Sequence, residues 1–369
     1  MSDLATHAKL ARSNAQLPVH AYFDEAQHQR EMRQLFHSAP HYVGHELMVP
    51  AMGDYITLGS ENDGRVLVRN AKGVELLSNV CRHRQALMLN GRGNAGNVVC
   101  PLHRWTYDLT GELIGAPHFP ATPCLHLPKT GLQRWNGLLF EQNAYNVTEK
   151  LAPLSQLPVI TELNFSGYMF DHVEIHNCNY NWKTFLEVYL EDYHVEPFHP
   201  GLGGFVSCDD LRWDFGCDYS LQTVGVNRGL LKSGSPIYRN WQEQVLQYRG
   251  GTPPPYGAIW LTLYPNIMLE WYPHVLIVST LWPDGPQKTR NVVEFYYPEE
   301  IVLFERAFIE AERAAYMETC VEDDDIALRM DAGRKILLQR GISDAGPYQT
   351  PMEDGMQHFH EWYRSQMIF

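Results

Sequence analysis

Cysteine is scarce in this chain. There are seven in 369 residues, an odd number scattered without the density of a disulfide scaffold, so reduced thiols or metal ligation are the expected uses. Long apolar runs are missing. No uninterrupted stretch approaches the roughly 18 residues a membrane span needs, and the opening MSDLATHAKLARSNAQ has no secretory apolar core, so a cytoplasmic protein without membrane insertion is expected. Positive charge is also short. Lys and Arg number 29 against 43 Asp and Glu, and a formal net charge of -14 repels nucleic acid and anionic lipid at long range. Small molecules or a soluble protein remain as partners. No Gly-x-Gly-x-x-Gly follows a strand and opens a helix, so the chain shows no dinucleotide-binding fingerprint of its own. Repeats and low-complexity segments are likewise absent. What is present is an ordinary globular composition, 44% hydrophobic and 20% charged, with material for two cores, and 17 histidines.

The texture changes twice along the chain. From Met1 to about Ser38 the pattern is helical, with Tyr22, Phe23, Leu35 and Phe36 as apolar members, and predicts an N-terminal arm. From His41 to about Gln142, short apolar runs such as RVLVR, VELLSNV and GLLFEQ alternate with Gly, Asn and Pro turns, which predicts a small all-β domain. The stretch between Asn143 and Pro158 reads as a linker suited to neither strand nor helix. Beyond it a helix is predicted from Trp182 to Glu196. Strands are predicted over Tyr219–Val226, Ala258–Leu263, Ile267–Tyr272, Val275–Leu281 and Asn291–Tyr297. A long helical stretch runs from Glu299 to about Met330, with Ile301, Phe304, Phe308, Ala311 and Ala315 near a 3.6-residue period. The class is therefore α+β beside an all-β module.

Two constellations carry chemistry. In CRHRQALMLNGRGNAGNVVCPLHRW, Cys81-x-His83 is followed after a 16-residue spacer by Cys100-x-x-His103, so two loops each offer one thiolate and one imidazole. That mixed pairing suits a 2Fe-2S centre with two cysteines on one iron and two histidines on the other, a substitution that raises the reduction potential. Gly91, Gly93 and Gly96 permit tight turns, Pro101 stiffens the second loop, and Trp105 and Tyr107 are placed to shield the cluster. A structural zinc site shares the ligand types, but usually opens with paired cysteines and closes with paired histidines.

In NWKTFLEVYLEDYHVEPFHP, His194 and His199 stand five apart. On an unbroken helix they would point about 140° apart. Pro197 is expected to end the helix at Glu196 and let His199 swing back. Two imidazoles and one carboxylate make the facial triad that binds ferrous iron and leaves positions open for O₂. Taken alone, a pair at this spacing is more often two unrelated surface or core histidines.

Together these stretches resemble the alpha subunit of Rieske non-haem iron oxygenases, the ring-hydroxylating dioxygenase family. The lead-in YVGHELMVPAMGDYITL, NVCRHR and CPLHRWTYDLTGEL carry the Rieske part, and the pattern acid, two residues, His, four residues, His carries the catalytic part, with Glu191 as the acid. Glutamate there, followed by Tyr193, resembles the choline, glycine betaine and carnitine monooxygenase branch. The resemblance implies an N-terminal arm over 1–40 packing on the catalytic domain, a Rieske domain over 41–145, and a catalytic domain over 146–369 with a helix-grip or START-like antiparallel sheet. It implies a cluster on Cys81, His83, Cys100 and His103, and a mononuclear Fe(II) on His194, His199 and an aspartate from CVEDDDIALRM. Asp325 is the family-like choice, with Asp324 and then Asp323 as alternatives, and a solvated first turn of a helix is the competing structural reading of these acids. It further implies a homotrimer in which Glu191 bridges a neighbour's cluster histidine and His194. NAD(P)H would act through a separate reductase, with or without a ferredoxin. A Rieske electron carrier lacking the catalytic iron, and a zinc-stabilised binding protein, are the competing functions.

The strand-rich segment between Tyr219 and Trp282 is expected to line a substrate pocket. Trp260, Tyr264, Trp271 and Trp282 are candidate walls, and Glu187 and Glu270 candidate partners for a cation, suited to an aromatic compound or a quaternary ammonium. Cys124, Cys178, Cys208, Cys217 and Cys320 lack ligand spacing and are expected to be reduced and mostly buried, and His118, His126 and His274 to be structural.

Overall fold

The computed structural model describes residues 15–39, 41–228, 230, 234–343 and 345–367, so the start of the N-terminal arm, residues 1–14, lies outside the described residues. The chain divides into two compact units, one of Pro40–Gln156 and the other of Leu157–Phe369 together with the N-terminal residues as far as Ala39.

The larger unit is built on a seven-stranded antiparallel sheet: β1 (Tyr168–Cys178), β2 (Val206–Phe215), β3 (Tyr219–Val226), β4 (Ala258–Leu263), β5 (Ile267–Tyr272), β6 (Val275–Pro283) and β7 (Thr289–Pro298). Their order across the sheet is β1-β7-β6-β5-β4-β3-β2. AIWLTL, IMLEWY and VLIVST read as strands because their branched and aromatic side chains fill a pleated surface, and these central strands are buried on both faces. Strands β1 and β2 do not emerge from sequence periodicity. They are the edge strands, and YMFDHVEIHNC alternates with polar residues that stay partly solvated.

The helices that matter for the site are α1 (Trp182–Tyr189), α2 (Val195–Phe198), α3 (Pro236–Tyr248), α4 (Arg306–Gln339) and α5 (Asp354–Gln366). The predicted helix over 182–196 is thus two pieces. Helix α1 ends at Tyr189, ahead of Pro197, and Pro197 sits inside the single turn α2, where the missing N–H has no intrahelical role. Likewise, the stretch after Glu299 breaks at Glu305, which leaves Ile301 buried and Phe304 78% exposed. The segment read as a linker contains a short helix, Val147–Leu151, whose N-terminus is capped by Asn146 accepting from the Glu149 N–H.

A buried polar clamp fixes α4 against α1. Asp331 Oδ1 accepts from Thr184 Oγ1 at 2.6 Å, while its Oδ2 accepts from the Asn181 N–H at 3.0 Å and Gln287 Nε2 at 2.9 Å. Arg334 Nη2 donates to Glu187 Oε2 at 2.5 Å, and its guanidinium lies over the Tyr22 ring. Glu187 also binds His360 Nε2 and the Tyr22 hydroxyl. It is therefore a structural acid, and it is not among the residues lining the cavity beside His194 and His199, contrary to the cation-partner expectation. The N-terminal residues join through Glu31, which takes Lys183 Nζ at 2.7 Å and Trp182 Nε1 at 2.9 Å, all buried.

The smaller unit is all β. Its five-stranded sheet runs in the order Arg92–Asn94, Asp54–Thr57, Arg65–Asn70, Gly73–Ser78, Lys129–Thr130. One three-stranded sheet joins Tyr42–His45, Leu138–Glu141 and Leu132–Trp135, and another joins Val98–Val99, Thr106–Tyr107 and Leu113–Gly115. Of the three glycines read as turn formers, Gly91 has φ +58, whereas Gly93 lies in a strand against the Tyr55 ring, where a Cβ would clash.

Replacing Asp331 by Ala strands two buried donors, the Asn181 N–H and the Thr184 hydroxyl, so urea unfolding followed by tryptophan fluorescence is expected to show a loss of about 3 kcal/mol, while Asp325→Ala on the exposed face stays within about 0.5 kcal/mol.

Candidate functional site

The first constellation folds as the same turn used twice. Cys81 donates its N–H to Ala86 O and accepts from the Gln85 N–H; Cys100 donates to Trp105 O and accepts from the Arg104 N–H. Gln85 and Arg104 close the two turns with φ of +54 and +61. Each cysteine is thereby held buried at the base of its loop while a histidine comes forward two or three residues later. The rings of His83 and His103 meet with centroids 4.8 Å apart. Trp105 stacks on His83 at 4.8 Å and 7°, and Phe119 closes on both edge-on. On the sulfur side, the Tyr107 hydroxyl lies 3.6 Å from Cys81 Sγ and accepts from the Arg82 N–H. Burial and the neighbouring Cys81 thiol raise the Cys100 pKa, while the N–H groups of Leu102 and His103 pull it down. His83 Nδ1 is buried without a hydrogen-bond partner. A buried ring nitrogen left bare beside a second imidazole, in the unit where the two cysteine thiols also lie next to each other, fits a bound 2Fe-2S cluster.

The second constellation lies at the ends of α2. His194 is the residue before that turn and His199 the residue after it, so one helical turn brings the rings to 5.0 Å. Each ring is oriented from behind by an acid. His194 Nδ1 faces Glu191 Oε1 at 2.6 Å, and His199 Nδ1 faces Glu322 Oε2 at 2.6 Å. These carboxylates accept the Nδ1–H protons and leave both Nε2 lone pairs pointing at a common space. Glu191 is itself anchored, its Oε2 accepting from the N–H groups of Tyr193 and His194.

The acid that closes the space is Asp323. His194, His199 and Asp323 each present one ligand atom, all within 4.8 Å of one another. Asp323 Oδ1 lies 2.9 Å from His199 Nε2 and 3.5 Å from His194 Nε2, and although the side chain is half-buried this one oxygen is shut off from solvent with no properly directed hydrogen bond. Three acceptors converging without a shared proton fit a metal ion. Asp325, the choice by resemblance, does not reach this space. It is 53% exposed and pairs with Arg329 Nη2 at 2.8 Å. Asp324 is engaged by the Tyr180 hydroxyl at 2.6 Å. The reason is rotation. Helix α4 continues through all three acids, and at about 100° per residue only one can face the histidines. The first-turn reading of these acids falls too, because they lie well inside the helix. Glu322 was not foreseen, since nothing in an acidic run marks which member supports a histidine.

Beside the triad is a cavity lined on the sheet side by Trp260, Glu270 and Tyr272, on α4 by Glu312, Tyr316, Thr319 and Cys320, and by Tyr189, Asp192, Tyr238 and Trp241. Strand parity decides which rings take part. Gln222, Trp260 and Glu270 are cross-strand partners on one face, whereas Trp271 points to the other face and packs near Tyr256. Tyr264 sits beyond the end of β4 among Trp362, His358 and Phe359, and Trp282 borders a separate recess with Arg290. Of the four predicted walls, only Trp260 belongs to this cavity. Of the other cysteines, Cys178 and Cys208 are buried, Cys320 borders the cavity, and Cys124 and Cys217 are exposed rather than buried. His126 Nδ1 accepts from the Leu113 N–H.

Loading protein that keeps its cluster but is depleted of mononuclear iron with ferrous iron, anaerobically, is expected to fill the second centre in wild type and Asp325→Ala but not in Asp323→Ala, with the cluster absorbance the same in all three.

Comparison with known proteins agrees with both centres. Residues 40–128 match the Rieske [2Fe-2S] domain, and residues 165–368 match the ring hydroxylating alpha subunit (catalytic domain). The chain is 69% identical over 369 residues to putrescine 2-hydroxylase of Ralstonia nicotianae, covering 100% of each. It is 58% identical over 382 residues to putrescine 2-hydroxylase of Bordetella bronchiseptica, covering 100% of this chain and 88% of that one. In fold it is similar to the quaternary ammonium Rieske monooxygenase CntA, with a TM-score of 0.72 at 20% identity over 95% of both chains. The chain therefore belongs to the ring-hydroxylating alpha-subunit family and is the oxygenase component of a Rieske non-haem iron oxygenase, an oxidoreductase that uses a 2Fe-2S cluster and a mononuclear iron.

Proposed function

We propose that this oxygenase hydroxylates a short aliphatic diamine, with putrescine the first substrate to test. The observation that carries the reading is the charge of the cavity. Glu191, Asp192, Glu270, Glu312 and Asp323 all line it, and no lysine or arginine is among the described residues that do. Burial raises Glu270 to about 7, and burial with the nearby Glu270 charge raises Glu312 to about 8. Such acids are poorly matched to an aromatic hydrocarbon and well matched to a cation, which restores their ionised form. The names of the relatives at 69% and 58% identity support the same substrate. Aromatic walls also attract a quaternary ammonium by cation-π contact, at roughly 0.5 to 2 kcal/mol, but an ammonium with N–H donors satisfies carboxylate oxygens as well.

In this reading Cys81, His83, Cys100 and His103 hold the cluster, and His194, His199 and Asp323 hold the iron. When bound, the cluster supplies electrons singly and the ferrous ion supplies the place where O₂ is reduced. The overall reaction inserts one oxygen atom into a C–H bond, while two electrons and two protons convert the other to water. Glu322 and Glu191 hold the two imidazoles with their Nε2 atoms toward the metal, and the ring-lined cavity excludes bulk water. Glu191 also serves as the link to a cluster histidine of a neighbouring subunit in a homotrimer. A separate NAD(P)H-dependent reductase, with or without a ferredoxin, delivers the electrons.

Reduced protein freed of dithionite and exposed to O₂ with putrescine is expected to release hydroxyputrescine, detected by mass spectrometry; product from choline or an aromatic hydrocarbon and none from putrescine would overturn the diamine reading. Glu191→Gln is expected to keep both metal centres and lose at least about tenfold in turnover, and full activity would remove the bridge from the mechanism.

A further inference from the structure

The diamine reading leaves open how a symmetric, flexible chain is held so that one carbon meets the reacting centre. We infer that two buried carboxylates clamp the substrate at both ends, Asp192 at the metal end and Glu270 at the far end, with Trp260 between them. The inference rests on the proposed diamine substrate and concerns how the cavity recognises it.

Glu270 is built as an acceptor. The Tyr272 hydroxyl donates to its Oε2 at 3.2 Å, the Tyr316 hydroxyl to its Oε1 at 3.4 Å, and the Ser279 hydroxyl is a third donor to the carboxylate. Trp260 Nε1 donates to Tyr272 Oη at 2.9 Å, and Ser279 Oγ lies 3.4 Å from Tyr316 Oη, so both hydroxyls are themselves oriented. An ionised carboxylate can accept about four hydrogen bonds, which leaves acceptor capacity on the cavity side. Glu270 is 2% exposed.

Asp192 matches it. Its Oδ1 accepts from Gln222 Nε2, and its Oδ2 is buried without a partner on the cavity wall, one residue from Glu191. An unpartnered carboxylate oxygen at 3% exposure is costly unless something donates to it. Gln222 pairs across strands with Trp260, and Trp260 with Glu270, so Gln222, which holds Asp192, and Glu270 itself start from strands two spacings apart, on the order of 10 Å. That span suits a short chain carrying an ammonium at each end, laid over the indole. Glu312 lies a full turn beyond Tyr316 on α4, farther from Asp323, with one oxygen taken by the Tyr297 hydroxyl. It is not the anchor.

The test uses the oxygenase with both centres loaded and two substrates: putrescine, and the amino alcohol in which one of its ammonium groups is replaced by hydroxyl. Wild type is expected to favour the diamine in kcat/KM. Glu270→Gln and Asp192→Asn are each expected to cut that preference about ten- to hundred-fold, mainly through KM, as one charge-assisted hydrogen bond is lost. On the amino alcohol the two variants should differ in position. Glu270→Gln oxidises the carbon nearer the amine, because Asp192 keeps the ammonium at the metal end, and Asp192→Asn oxidises the carbon nearer the alcohol. Should Asp192→Asn fail to bind iron, Glu270→Asp serves in its place and is expected to recover part of the preference lost in Glu270→Gln. A wild-type preference retained in Glu270→Gln overturns the clamp and leaves the diamine reading standing, whereas a wild type that oxidises neither substrate sinks both.

Discussion

The rotational setting of helix α4 is the constraint on which the catalytic unit depends. Asp331 and Arg334 fasten that helix to α1 through Asn181, Thr184 and Glu187, and with the helix locked, every acid upstream acquires a direction. Seven residues before Asp331, at nearly the same angle around the axis, Asp324 meets Tyr180. About 100° to one side Asp323 meets the histidines, and about 100° to the other Asp325 is left in solvent. The clamp is buried and each of its charged members is paired, so breaking one member leaves others stranded. A structural acid, Asp331, thus determines which acid two turns earlier on the same helix becomes functional.

Both centres follow a common design. In each, a short turn of backbone presents the ligating atoms and a second layer orients them. For the cluster, two copies of one turn bury the thiols and bring the imidazoles forward, with Trp105 stacked behind His83. For the iron, the single turn α2 separates two imidazoles whose far nitrogens are tied to Glu191 and Glu322. In both, acceptor atoms stand bare in the protein interior, His83 Nδ1 in one and Asp323 Oδ1 in the other. An interior normally satisfies its polar atoms, so these two mark where an ion or cluster completes the fold.

The cavity beside the iron carries the same logic toward the substrate. Carboxylates at Glu270, Glu312 and Asp192 are held where burial disfavours their charge, with aromatic rings rather than cations around them. Such a cavity is less stable empty than filled by a cation, and that difference is available as binding energy.

Much of this was legible in the residues alone. Cys81, His83, Cys100 and His103 announce themselves because their spacing is local, and the central strands do so because burial on both faces demands unbroken apolar runs. The edge strands β1 and β2 escaped because half-solvated strands need no such run, and the end of α1 at Tyr189 escaped because Pro197 drew the boundary too late. A sequence can place CVEDDDIALRM near the site but cannot choose among its acids, because the choice depends on the angle of a helix, and that angle is set by side chains elsewhere in the chain. The same holds for Glu270, in the cavity, against Glu187, in the clamp: the two look alike in sequence, and only the direction of a strand or helix face separates them. Local spacing determined the chemistry this protein carries out; packing at a distance decided which residues perform it.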